Sequence, residues 1–448
     1  MLVMKFGGTS VGSAEAIRRS CGIIANTRAE TPCAVVVSAL SGITDKLIAA
    51  CDDACERHRP ASEIIDQLYA HHEQVCDELG LEAAPLLKPL SELHEVLRGI
   101  GYLREFTPRS YDFVLGHGEL LSSRIVAAYL TAQGTPAYAI TGWDAGILTD
   151  DQHGAANVLD ATYQRVPERL TDLGSVPIVT GFLAQTETGQ RTTLGRGGSD
   201  YTAAILGRAL NADEIQIWTD VSGILSTDPR IVSAAQPLPD LTFEEAAELA
   251  FFGAKVIHPK TIEPAVKAGI PVRVKNTFEP AHPGTRIVGG HRETHRPVVA
   301  LAVKRDNTIL ALDSTRMLDA EGYLATVFEA LKRHKISVDA IATSEVSVCM
   351  TVEGRYSERL KACAAELGAI ADVELRPGRA IICAVGLGLR ERPGTGALIF
   401  GALREAEINV EMISMGSSKI NITLVVTNED ADRALIALHR DLIEAPPQ

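Results

Sequence analysis

The chain has 448 residues, 46% of them apolar and 22% charged, with a formal net charge of −14. That length holds two or three domains with cores of their own. No apolar run approaches the roughly 18 residues of a membrane span, and the acidic balance argues against nucleic acid as a partner, because phosphate backbones reward clustered Lys and Arg.

From residue 2 to about 286, short β-rich runs alternate with helical stretches, the pattern of a largely parallel sheet covered by helices on both faces. Strands are predicted at 2–6, 33–38, 137–141, 176–182, 214–218 and 272–276. Between 45 and 106 only helical periodicity is present, broken near Pro60, Pro85 and Pro89, which predicts a helical insertion. Within it Cys51, Cys55 and His58 share a helix face, but no fourth ligand completes a metal site. The eight cysteines include no C-x-x-C pair and read as thiols in a reducing compartment. The N-terminus has no signal-peptide pattern, so a cytoplasmic protein is expected. A long helix is predicted from Pro108 to about Gln133, with Gly134 as its stop. Residues 280–297, rich in Gly, Pro and His, read as a linker.

Two glycine-rich loops stand where phosphate chemistry is to be sought. Lys5-Phe-Gly-Gly-Thr-Ser-Val-Gly12 follows the first strand, and Thr193-Leu-Gly-Arg-Gly-Gly-Ser-Asp200 leads into a helical pattern at 201–210. Gly7 and Gly8 let backbone N–H groups approach an anion, and a helix opening at Ser13 adds a positive dipole end. Neither loop matches G-x-x-x-x-G-K-[ST] or G-x-G-x-x-G, which disfavours a P-loop enzyme and a plain dinucleotide fold. In open α/β sheets ligands collect beyond the carboxyl ends of the strands, where both loops fall.

The tail contains an internal repeat. Residues 328–352 set over 400–424, a gapless offset of 72, match Phe328 with Phe400, Leu331 with Leu403, Ile336 with Ile408, Val338 with Val410 and Ile341 with Ile413. Asp339 meets Glu411. The matches fall in phase with helix and strand periods, so the tail reads as two copies of one small α/β unit.

Six motifs in order resemble the aspartate kinase family. They are Lys5 to Gly12, Val37-Ser-Ala-Leu-Ser-Gly-Ile-Thr44, Gly116-His-Gly-Glu-Leu120, Thr193 to Asp200, Thr219-Asp-Val-Ser-Gly-Ile-Leu-Ser-Thr-Asp-Pro-Arg230 and Gly253-Ala-Lys-Val-Ile-His-Pro259. In the tail, Ser337-Val-Asp-Ala-Ile-Ala-Thr-Ser-Glu345 resembles the paired ACT regulatory units of such kinases. The resemblance implies a three-layer α/β amino acid kinase fold over 1–285 with a mainly parallel central sheet. It also implies a regulatory region over 298–448, made of two ferredoxin-like βαββαβ ACT units at about 308–380 and 381–448. An exchange of the 298–304 strand into the second unit is left open.

The implied reaction is phosphorylation of the side-chain carboxylate of L-aspartate with ATP and Mg²⁺, the first step toward lysine, threonine and methionine. By resemblance Lys5 and Lys255 contact the ATP phosphates, Asp200 orients Lys5 or supports the metal, and Gly7, Gly8 and Ser10 line the phosphate pocket. Arg196 offers a planar fork to the substrate α-carboxylate and Glu119 an acceptor to its ammonium, with Ser38 and Thr44 adding hydroxyls. Nucleotide contacts fall to Thr219, Asp220, Leu225, Asp228 and Arg230; many relatives have tyrosine where this chain has Leu225. For each of these alone a plain reading competes: a solvated charge for Lys5, Lys255 and Glu119, a helix N-cap for Asp200. His117 and His258 read as structural.

An effector amino acid, lysine in preference to threonine, is implied at Met317, Tyr323, Leu324, Ser337, Asp339 and Ser344. Asp339 either faces its ammonium or caps a turn. A homodimer or homotetramer through the ACT units is implied, with no membrane or nucleic-acid partner. Two other readings remain open: a kinase for glutamate or acetylglutamate, and a catalytically silent amino-acid sensor.

Overall fold

The first apolar run forms strand β1 (Leu2–Phe6) in a computed structural model that describes residues 1–56, 58–170, 174–252, 257–290, 296–317, 321–416 and 420–445. After β1 come α1 (Gly8–Val11), α2 (Ala14–Glu30), β2 (Cys33–Val37), α3 (Ile43–Glu56), α4 (Ala61–Leu79), α5 (Leu87–Leu103), α6 (Pro108–Leu115) and α7 (His117–Ala132). Next are β3 (Ala137–Ile140), β4 (Leu148–Thr149), α8 (Thr162–Arg169), β5 (Val176–Thr180), β6 (Leu183–Thr186), β7 (Arg191–Thr193), α9 (Gly198–Ala209) and β8 (Glu214–Thr219). β9 (Asp240–Thr242), α10 (Phe243–Phe251), α11 (Pro259–Ala268), β10 (Val272–Asn276) and β11 (Thr285–Val288) complete this part.

Two compact units divide the chain. The first takes Met1–Ile224, Pro239–Phe243 and the stretch that ends at Gly290; the second takes Leu225–Leu238, the helix after Phe243 and the C-terminal part. In the first unit the strand order is β3-β5-β2-β1-β8-β10-β11-β9, parallel from β3 to β10, with β11 antiparallel to β10. β1 lies at the centre, with Phe6 opposite both Val37 and Trp218, so three parallel strands end together. Strand alternation sends Met4, Phe6, Val35 and Val37 into an apolar cluster shared with α2, α3, α5 and α7. Lys5, one step out of phase, faces the opposite side, where α9 packs on β1, β2 and β8.

The helical insertion is present as α3, α4 and α5, and Pro89 lies inside the first turn of α5 without breaking it. The single helix expected at 108–133 is two helices meeting at Gly116. There the His117 Nδ1–H donates to the carbonyls of Phe113 (2.9 Å) and Val114 (3.3 Å), and Gly118 passes so close to Ala39 that a Cβ would lie 2.5 Å from the alanine methyl. The linker expected at 280–297 contains β11, which pairs with β10 and β9. Among the described residues a small sheet of β4, β6 and β7 was not foreseen, because its strands are too short to show a period.

In the second unit β12 (Ala300–Asp313), α12 (Tyr323–Arg333), β13 (Ile341–Thr343), β14 (Ser347–Glu353), α13 (Ser357–Leu367) and β15 (Asp372–Val385) trace one βαββαβ path. α14 (Gly388–Glu391), α15 (Thr395–Glu405), β16 (Met412–Ser414), β17 (Asn421–Thr427) and α16 (Ala431–His439) follow. The sheet order is β13-β14-β12-β15-β17-β16, and the long strands β12 and β15 pair antiparallel from Ala300↔Val385 to Asp313↔Asp372. The repeat offset of 72 holds for α12 and α15, whereas β13 and β16 are offset by 71 and β14 and β17 by 74, because the turns between them differ in length. In both copies the acid before the short strand is paired from the neighbouring long strand: Lys304 Nζ lies 2.7 Å from Asp339, and Arg379 Nη2 2.9 Å from Glu411.

Candidate active site

The carboxyl ends of β1, β2 and β8 gather the first-unit residues. Lys5, only 12% exposed along its side chain, extends from β1 to place Nζ 2.6 Å from Asp200 Oδ1 on α9. The contact engages Oδ1 from one side only, and the carboxylate keeps further lone pairs. Asp200 is the third residue of α9 and not its cap; Gly197, at φ 72°, holds the cap position. That helix end has no side-chain cap, and its first N–H, on Gly198, goes to the Gly195 carbonyl (3.0 Å), so any anion would be met by the N–H groups of the next residues.

Gly7 caps α1 and donates its N–H to the Trp218 carbonyl (3.2 Å), and a Cβ on it would lie 3.4 Å from Lys5 Nζ. A Cβ on Gly8 would lie 3.3 Å from the Ala39 carbonyl oxygen, so the 7–12 and 38–42 turns touch only because these residues are small. Ser10 is buried, directs its hydroxyl to the Trp218 carbonyl, 3.3 Å away, and donates its N–H to the Gly7 carbonyl (2.9 Å), so it shapes the turn. Ser38 and Thr44 are half-buried, at the end of β2 and at the start of α3.

Glu119, in the first turn of α7, is buried with Oε2 unpartnered. Burial pushes its carboxyl up to about 8, against hydrogen bonds from the Ala39 and Glu119 amides and the Lys5 charge. A solvated helix residue is therefore excluded. Arg196 is exposed in the turn after β7 and makes no ion pair among the described residues. Thr219 donates its hydroxyl to Asp220 (3.1 Å) at the end of β8. Lys255 lies outside the described residues.

Sequence reasoning missed two features of this unit. Phe182, just past β5, holds φ 68°, a strained conformation for an aromatic residue, with its N–H bonded to Thr202 Oγ1 (3.0 Å). Buried Asp112 pairs with half-buried His153 (2.8 Å) beside the Arg196 turn. Phe182 reads only as the apolar end of the predicted strand at 176–182, and Asp112 only as a polar residue in a helical pattern. His117 is fully buried with its pKa lowered to about 4 by burial, and His258 caps α11 by accepting from Lys260 N–H (3.3 Å), so both are structural.

In the second unit Leu225 is half-buried and bridges to Pro237. Asp228 accepts from the Arg230 backbone (2.9 Å), Nε (3.0 Å) and Nη2 (2.6 Å), and these bonds hold its carboxyl below the usual range. The guanidinium is otherwise exposed. Of the effector candidates, Asp339 neither caps a turn nor stands open: Lys304 bridges it to Glu353 (2.6 Å). Tyr323 points its hydroxyl toward the Ile370 carbonyl (3.5 Å), Ser344 bonds Ser347 (2.7 Å), Met317 is half-buried, and Leu324 and Ser337 are exposed.

Among the described residues no helix is long and apolar enough to cross a membrane. The amino acid kinase family model matches residues 1–276, and an ACT domain model matches 311–365 and 382–442. Aspartokinase 1, chloroplastic, of Arabidopsis thaliana is 40% identical over 458 residues, covering 99% of this chain and 80% of that protein. Lysine-sensitive aspartokinase 3 of Escherichia coli (strain K12) is 37% identical over 468 residues, covering 99% of each. The structure of E. coli aspartokinase III in complex with lysine and aspartate superposes with a TM-score of 0.85 at 35% identity, and that with aspartate and ADP with 0.80 at 35%, each over 99% of both chains.

Proposed function

The chain belongs to the aspartokinase family, and from that premise we propose how its own residues serve the reaction. The protein transfers the γ-phosphoryl group of ATP to the side-chain carboxylate of L-aspartate, giving 4-phospho-L-aspartate, under amino-acid control through its ACT region. A carboxylate oxygen forms the new bond to Pγ, and the bond from Pγ to the bridging oxygen breaks with its electron pair leaving on ADP. The carboxylate, with a pKa of roughly 4, is already ionised, so no general base is needed. The protein's task is to bring two anions together and to neutralise developing charge.

Lys5 supplies that charge at the phosphates, held in line by Asp200, with Lys255 as the second cation and Gly7, Gly8 and Ser10 as the backbone of the pocket. Leu225, Asp228, Arg230, Thr219 and Asp220 serve the nucleotide. Glu119 takes the substrate ammonium, Arg196 its α-carboxylate, and Ser38 and Thr44 its remaining polar edge. The observation that carries this reading is the unpartnered Oε2 of buried Glu119, a site that a bound ammonium would complete. Among the described residues no cluster of three His, Cys, Asp or Glu side chains is built for a metal. Mg²⁺, which usually rides on substrate phosphates with one or two carboxylates, would be held by Asp200, whose carboxylate keeps further lone pairs, and would offset phosphate charge there.

Lysine is the proposed effector, supported by the lysine-sensitive E. coli relative and its lysine complex. A dimer or tetramer through the ACT sheet is supported by exposed Ile413 and Met415 at its β16 edge. A cytoplasmic setting agrees with eight free thiols. The test is hydroxylamine trapping of the acyl phosphate, with aspartate or glutamate as acceptor and with lysine or threonine titrated in. Aspartate turnover inhibited by lysine is expected. Turnover of glutamate alone overturns the substrate, and indifference to lysine overturns the effector.

A further inference from the structure

We propose that Asp112 is a positioning residue that fixes the Arg196 turn relative to Glu119, and so sets the spacing at which the enzyme holds the two ends of aspartate. The inference rests on the reading of Arg196 and Glu119 as the groups that take the α-carboxylate and the ammonium. Asp112 sits on α6, seven residues before Glu119 and across the Gly116 junction from it, and its side chain is fully buried. Both oxygens accept from donors at the end of β7 and in the 153–154 turn. Thr193 Oγ1–H reaches Oδ1 at 2.5 Å, His153 Nδ1–H reaches Oδ2 at 2.8 Å, and the Gly154 N–H lies 3.0 and 3.1 Å from the two oxygens.

Each partner leads to the substrate turn. Thr193 is the last residue of β7, immediately before Leu194-Gly195-Arg196. Its carbonyl accepts from Ala156 N–H (2.9 Å), and Leu194 N–H bonds the carbonyl of strained Phe182 (2.9 Å). Gly195, at φ 74°, passes against the 154–155 backbone so tightly that a Cβ would lie 3.1 Å from the Gly154 oxygen. The turn bearing Arg196 therefore rests on the 153–156 loop, and Asp112 clamps both. On the other side, α6 is joined rigidly to the start of α7 through the His117 ring, bonded to the Phe113 and Val114 carbonyls and packed on Phe113 at 5.2 Å. A buried carboxylate with three charge-assisted donors, one of them shared between its two oxygens, holds its partners more stiffly than neutral pairs would. A displacement of about 1 Å at Arg196 is enough to lose its bidentate contact.

Initial-rate kinetics on the full-length enzyme tests this with Thr193→Val, Thr193→Ser, Asp112→Asn and Arg196→Ala, alongside thermal unfolding of each. Thr193→Val and Asp112→Asn are expected to raise the KM for aspartate about tenfold, with the KM for ATP changed less than about twofold; Thr193→Ser, which keeps the hydroxyl, restores the wild-type value. Thr193→Val changes least in shape and keeps the test open should Asp112→Asn fail to fold. An unchanged aspartate KM in both Thr193→Val and Asp112→Asn, while Arg196→Ala raises it, overturns the positioning role and leaves the substrate reading standing. A uniform loss across both KM values and kcat together with a lowered melting temperature marks Asp112 as merely structural and also overturns it. An unchanged aspartate KM in Arg196→Ala overturns the substrate reading and the positioning role with it.

Discussion

Glu119 illustrates what one buried carboxyl implies for pH behaviour. Its pKa of about 8 means that the free enzyme holds it protonated near neutrality, whereas an arriving ammonium calls for the ionised form. Aspartate binding therefore costs deprotonation below about pH 8, and the aspartate KM is expected to fall as pH rises from about 7 to about 8.5. Glu119→Gln removes that slope and raises the KM at least about tenfold, measured by initial rates across the pH range. Stability runs the other way. A carboxyl whose folded pKa is raised contributes fully at low pH and loses that contribution as pH rises from the ordinary Glu range through about 8. Glu119→Gln should thus raise the melting temperature of the unliganded enzyme at about pH 8.5 relative to wild type, and change it little at about pH 4. No difference at either pH would show that the carboxyl is solvated, and the opposite order that its ionised form is the one stabilised in the folded state.

At the level of elements, glycines decide which segments approach. Gly118 lets the start of α7 lie on Ala39, where a Cβ would sit 2.5 Å from the alanine methyl, and that approach brings the Ala39 amide to the Glu119 carboxyl. Gly118→Ala forces α7 away from the turn after β2. We expect a stability loss of about 1–3 kcal/mol by denaturant unfolding and a raised aspartate KM, because Glu119 moves with the helix. An unchanged midpoint and KM would mean that the junction yields without effect. The same junction shows why the sequence reads one helix at 108–133: residues on both sides of Gly116 keep helical periodicity, and only the His117 ring and the close pass of Ala39 reveal the break. The strand β11 was hidden among Pro and Gly for a related reason: it has only four residues, and its other partner β9 is three residues long and more than forty residues away.

For the whole molecule, the division into units follows packing more than motif order. The segment with Leu225, Asp228 and Arg230 belongs to the second unit, where Leu301 N–H bonds the Ser226 carbonyl (2.7 Å). Ser226 Oγ accepts from Gln236 N–H (2.8 Å) and donates to buried His439 Nε2 (2.8 Å), while His439 Nδ1–H donates to Glu444 (2.7 Å). The C-terminal helix α16 thus holds a motif segment more than two hundred residues away in sequence. His439→Ala leaves Ser226 without its acceptor, at a cost of roughly 1–3 kcal/mol. It is expected to raise the ATP KM several-fold with the aspartate KM unchanged, as read by steady-state kinetics with each substrate varied; equal effects on both substrates would refute the link.

The glycine-rich turns, the parallel strands around β1 and the tail repeat are local in sequence, and period or spacing specified them, whereas the roles of the cationic and acidic residues at the strand ends followed from the resemblance of the ordered motifs to the aspartate kinase family. What tertiary structure decided are the pairings that no period encodes: Lys5 with Asp200, Asp112 with Thr193 and His153, Asp339 with Lys304, Ser226 with His439. Each joins residues far apart along the chain, and each depends on burial, which raises the cost of leaving a polar group alone until one partner arrangement is fixed.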